Sequence, residues 1–99
     1  MELAWLKYNK DDNSKYILAL IVGEEDGHVI CIQSQNFTQL EASIITKFAR
    51  QLDEMTIQDR MSWLKENIKN AYTKGYKRIK KENLIKVRSY NIKQKPQAS

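Results

Sequence analysis

The sequence predicts an α+β domain: a three-stranded antiparallel meander, two amphipathic helices, and a candidate fourth strand near the C-terminus. Three observations carry this. Apolar, β-branched runs alternate with turn-forming clusters from residue 3 to residue 33. Thr38-x-x-Glu41 and Thr56-x-x-Asp59 each precede apolar residues spaced by three and four. Residues 84–90, Leu-Ile-Lys-Val-Arg-Ser-Tyr, then return to a period of two.

Leu3 to Tyr8 reads as the first strand, and Asn9 to Ser14 as a turn, because Asn, Asp and Ser side chains bond their own backbone. The second strand, Tyr16 to Val22, carries apolar residues at every position, so both of its faces demand cover. Two helices cover only one face. The other must meet the C-terminal segment or a second subunit, which makes a homodimer an expectation. Gly23 to Gly27 forms the next hairpin loop, with a glycine at each end for positive φ, and His28 to Gln33 returns as the third strand.

After Thr38, apolar residues fall at Leu40, Ile44, Ile45, Phe48, Leu52 and Met55, one face of a helix. After Thr56 they fall at Ile57, Met61, Leu64, Ile68, Ala71 and Tyr72, a second helix running at least to Lys74 and, if it continues, to Lys81. Gly75 either ends that helix or sits at a close contact. Length sets the expectation of one domain over residues 1–92, followed by a flexible basic tail over 93–99.

The single Cys31 excludes a disulfide scaffold and a multi-cysteine zinc site. The start of the chain has no basic stretch followed by an apolar core, and the longest apolar run is seven residues against the ~20 of a membrane helix. A cytoplasmic protein without membrane contact is expected. Catalytic constellations are largely missing. His28 and Cys31, three apart on a strand, point to opposite faces and form neither a metal site nor a nucleophile–base pair. The acids at 24–26 splay in a turn, and Asp11-Asp12-Asn13 lacks the glycine and final acid of a calcium loop. The reading is therefore non-enzymatic, with neither metal nor cofactor.

Charge supplies the functional clue. The net +5 divides into −4 over residues 1–60, with six cations and ten anions, and +9 over residues 61–99, with eleven cations and two anions. Such segregation points to a polyanion. Lys69, Lys74, Lys77, Arg78, Lys80 and Lys81 are interleaved with Tyr76, and Lys86 and Arg88 precede Tyr90. Cations neutralise phosphates and tyrosines stack on unpaired bases. The expectation is a small nucleic-acid-binding protein, for DNA or RNA, using these ten residues. The alternative is a protein-interaction module, an inhibitor, adaptor or immunity-type factor of phage or mobile-element kind, that meets an acidic protein. Trp63 lies off the apolar stripe of its helix, so it either packs under another element or contacts a partner.

Overall fold

The computed structural model describes residues 1–8 and 16–92; the turn expected over 9–14 and the tail over 93–99 lie outside the described residues. Strands β1 (Glu2–Tyr8), β2 (Tyr16–Glu25) and β3 (His28–Gln33) form the expected meander. Four short helices follow: α1 (Gln39–Lys47), α2 (Ala49–Glu54), α3 (Ile57–Asn67) and α4 (Lys69–Gly75). After the helices come β4 (Tyr76–Lys80) and β5 (Leu84–Asn91), and the five strands of the described residues join one antiparallel sheet in the order β4-β3-β2-β1-β5.

This is the expected α+β fold with one strand more. Residues 76–80 do not extend the second helix. They pair with β3, Tyr76 opposite Ile32 and Lys80 opposite His28. The five-residue stretch gave no strand signal because its three cations obscure the alternation.

Edge strands β4 and β5 are joined only by the 3-10 turn Lys81–Asn83. Four residues of extended chain span at most about 14 Å, whereas the edges of a flat five-stranded sheet lie about 19 Å apart. The sheet therefore curls until its edges are covalent neighbours. Breaks in register at Ile21/Gly23 on β2 and at Trp5/Leu6 opposite β5 permit the bend. Inside the curl, Ala4, Leu6, Ala19 and Cys31 are fully buried, packed by Ile17, Ile21, Ile79 and Leu84. Ala4 and Ala19 are direct cross-strand partners, and their small size lets the concave wall close. The second apolar face of β2 is thus covered by the C-terminal strands of the same chain.

The convex face carries the larger core. Leu20, Val22, Ile30 and Ile32 from the sheet pack against Ile45, Leu52, Leu64, Ile68 and Ala71 from the helices. Each expected long helix is broken once to follow that surface, at Phe48 (φ −104°, ψ 13°) and at Ile68 (φ −131°, ψ 50°). Asn67 promotes the second break by donating its side-chain amide to the Trp63 carbonyl at 2.8 Å. Both helix starts are capped as the sequence indicates. Thr38 Oγ1 accepts from Glu41 N–H at 3.1 Å, Thr38 N–H donates to Glu41 Oε1 at 3.0 Å, and Thr56 Oγ1 accepts from Asp59 N–H at 3.2 Å. Glu41 reaches further: its Oε2 accepts a long bond from Ala71 N–H at 3.4 Å, linking the starts of α1 and α4.

The hairpin between β2 and β3 is tighter than expected. Its loop is Asp26-Gly27 alone, both at positive φ (52° and 72°), the two-residue turn whose twist matches that of the strands. Gly23 does not share that conformation and lies within β2. Gly75 is required by close approach. A Cβ there would meet Asn36 Nδ2 at 2.9 Å, the Gln33 backbone nitrogen at 3.0 Å and Ile32 Cγ2 at 3.1 Å.

Arg60, on α3, fastens the helix layer to the sheet. Its Nε donates to Leu52 O at 2.7 Å, and Nη2 to Asp53 O at 3.2 Å and Met55 O at 3.3 Å; Nη1 donates to Val22 O at the β2 bulge. The cation thus gathers carbonyls at the end of α2 and at the bulge, adding a second bond at Leu52 O, which already accepts from Met55 N–H at 3.2 Å. Arg60→Ala is expected to lower unfolding free energy by about 3 kcal/mol, several charge-assisted bonds being lost together. Arg60→Lys should recover less than half of that, since an ammonium cannot span the same fork; urea denaturation of the three proteins measures both. Gly75→Ala should cost about 1–3 kcal/mol in the same assay, because backbone must move to admit the methyl group.

Candidate nucleic-acid interface

The helices cover only part of the convex face. Register locates what they leave open. Lys7 stands opposite Tyr16, Trp5 opposite Leu18 and Arg88, and Leu3 opposite Tyr90. Direct partners share a face, as do residues two apart on a strand. Tyr16, Trp5 and Tyr90 therefore form an oblique row across β2, β1 and β5, diagonal neighbours starting about 7 Å apart. Their exposures are 55%, 39% and 44%, high for large aromatic residues. Each ring has a cation beside it. Lys7 Nζ lies 6.0 Å from the Tyr16 ring centre, the Arg88 guanidinium lies 5.2 Å from that of Tyr90, and Arg88 is also the direct partner of Trp5.

A pocket of about 250 Å³ opens beside this row, lined by Trp5, Tyr16, Ile17 and Leu18 on one side and Gln33, Ser34 and Gln35 on the other. It lies where β3 turns away into the 3-10 turn Ser34–Asn36, the pairing with β2 ending at Ala19 and Gln33.

The ten basic and tyrosine residues singled out in the sequence do not converge on one surface. Arg88 and Tyr90 belong to the row just described. Lys69 and Lys74 are exposed on α4. Tyr76 is half-buried, its ring 5.3 Å from that of Tyr72, and packs on the helix-side core. Arg78 pairs with Glu25 at 3.4 Å and Asp26 at 3.8 Å, Lys81 with Glu24 at 3.2 Å, and Lys86 with Glu2 at 2.8 Å. Lys80 is exposed at the rim, opposite His28. Lys77 is half-buried opposite Cys31. Acids of the first sixty residues thus lie against much of the basic segment, which a linear charge count cannot reveal. Trp63 packs: its ring lies 5.4 Å from that of Phe48, against the core. Trp5, Lys7 and Tyr16 escaped the sequence reading. The signal available was Lys7 two residues after Trp5, on a strand whose partner begins with an aromatic residue.

His28 and Cys31 occupy opposite faces, as their spacing requires. His28 Nδ1 hydrogen-bonds Asp26 O at 2.8 Å, while Cys31 is sealed in the concave core. Burial pushes the Cys31 thiol up to about 11, partly offset by the Lys77 ammonium. Among the described residues, no group of three or more His, Cys, Asp or Glu side chains is placed to hold a metal ion, and no helix is long and apolar enough to cross a membrane. No family model matches the chain, and no curated protein or solved structure shows detectable similarity to it.

The thiol yields a pH prediction. In the folded protein it keeps its proton to about pH 11, whereas an unperturbed thiol ionises near 9.0. Its contribution to stability is intact below pH 9 and is lost as the pH rises to about 11. Over that window, the denaturation midpoint of the wild-type protein should fall more steeply than that of Cys31→Ala.

Proposed function

We propose that the protein binds single-stranded nucleic acid on the open convex face of β2, β1 and β5, without catalysing a reaction. The observation that supports this is the oblique row Tyr16, Trp5, Tyr90 with Lys7 and Arg88 beside it. A single strand offers flat apolar bases and a regular line of negative charge. Aromatic rings at neighbouring sheet positions suit the bases, and interleaved cations suit the phosphates. Duplex fits less well, since its bases are already stacked on one another. Lys69, Lys74 and Lys80 make no ion pair among the described residues and would raise the potential that draws a polyanion in. A cytoplasmic setting is compatible with such a partner.

A second reading has one observation in its favour. β5 is a sheet edge whose Val87 is 56% exposed and whose Ile85 is 44% exposed, and an extended acidic segment of another protein could pair with it.

Fluorescence anisotropy with a labelled oligonucleotide of about twelve nucleotides tests the first reading. Binding should be tighter for single strand than for duplex. Trp5→Ala should weaken it by roughly tenfold or more. Lys7→Ala combined with Arg88→Ala should reduce the slope of log affinity against log salt by about 1.4. Lys81→Ala, which removes a cation already paired with Glu24, should matter little. Equal affinity of wild type and Trp5→Ala, or no binding in low salt, would refute the proposal.

A further inference from the structure

We infer that the pocket between Trp5 and the 3-10 turn Ser34–Asn36 is a receptor for one unpaired nucleobase. The inference rests on the single-strand reading and deepens it: the cavity shares Trp5 and Tyr16 with the stacking row, and the added claim concerns the polar wall opposite them. The pocket has two unlike walls. Trp5, Tyr16 and Leu18 offer aromatic and aliphatic surface on the face shared with the stacking row. Gln33, Ser34 and Gln35 form the other wall, at the point where β3 leaves the sheet; Gln33 is the direct partner of Ala19 and so belongs to the opposite face, which leaves the Ser34 hydroxyl, the Gln35 amide and the backbone as groups that can donate and accept there.

A third feature concerns the backbone. β2 is paired with β1 along Tyr16 to Ile21, but its pairing with β3 begins only at Ala19. Among the described residues, the β3 side of positions 16–18 therefore has no strand partner, and this margin borders the pocket. A groove with an apolar wall and a polar margin suits a flat heterocycle with an apolar face and a hydrogen-bonding edge. It does not suit an aliphatic chain, which would leave the Ser34 hydroxyl and Gln35 amide without partners, or a free phosphate, which would lie against Leu18 and the rings. Lys7, across from Tyr16, stands where the phosphate next to such a base could be neutralised. Base contact rather than charge alone would then set which strands bind best.

The test uses two probes, in the Trp63→Phe background so that Trp5 is the only tryptophan. The first is free AMP and UMP at concentrations up to about 10 mM, since one base held alone is expected to bind near the millimolar range. Saturable quenching of Trp5 emission by either nucleotide, absent with ribose 5-phosphate, is the expected result. The second compares a base-bearing oligonucleotide with an abasic chain of equal length and charge. The wild-type pocket should favour the base-bearing chain by roughly tenfold. Ser34→Ala with Gln35→Leu, which strips hydrogen-bonding side chains from the polar wall, should reduce that preference while leaving the salt dependence intact. No difference between nucleotide and ribose 5-phosphate overturns the pocket assignment, as does undiminished discrimination by the Ser34→Ala, Gln35→Leu variant. Nucleotide quenching without oligonucleotide binding would leave the pocket standing and remove the strand-binding function.

Discussion

Three residues between the two edge strands of a five-stranded sheet set the form of this protein. Lys81, Glu82 and Asn83 are too few to cross a flat sheet, so the sheet must curl until its two edges approach at one end, without pairing. The curl makes two cores from one sheet. The concave core is small and is built around Ala4 and Ala19, where longer side chains would hold the wall open. The convex core is larger and needs the helices. A second strand that is apolar on both faces, which in an open sheet would require a second layer or a second subunit, is here the wall between the two interiors.

The helix layer can be short because it is fastened at a few points instead of by area alone. Arg60 draws the end of α2 and the β2 bulge to one guanidinium, and Glu41 links the starts of α1 and α4. Both devices bond backbone groups where a helix breaks and a strand bulges. The breaks at Phe48 and Ile68 let short helices follow a curved surface that straight ones would touch at one point only. Covering part of the sheet tightly leaves the remainder bare, and the bare region is where Trp5, Tyr16 and Tyr90 emerge.

The elements with strong local codes were legible in the sequence. The capping pairs mark both helix starts to the residue, and the run from Tyr16 to Val22 announces a strand covered on both sides. What was not legible depended on contacts distant in sequence. β4 has a composition indistinguishable from a charged helix end, and only its partner β3 makes it a strand. The helix breaks are imposed by sheet curvature, which no periodicity encodes. Of the site, Arg88 and Tyr90 were visible because they sit in a basic run. Trp5 and Tyr16 were not, because an aromatic residue on a strand reads as core until register and the reach of the helices are known.

The charge segregation also changes meaning once folded. Along the chain, an acidic first part precedes a strongly basic last part, but the sheet brings Glu24, Glu25 and Asp26 against Arg78 and Lys81, and Glu2 against Lys86. Exposed pairs of this kind add little stability. Their larger consequence is to lower the positive potential along β4 and at the start of β5, which favours the cations that lack a carboxylate partner among the described residues. Two of these, Lys7 and Arg88, adjoin aromatic rings. A uniformly basic rim would hold any polyanion in many registers. On the proposed reading, partial cancellation of charge along β4 and β5 leaves Lys7 and Arg88 as cations that adjoin exposed rings, so a strand drawn to them would also meet surfaces on which unpaired bases can stack.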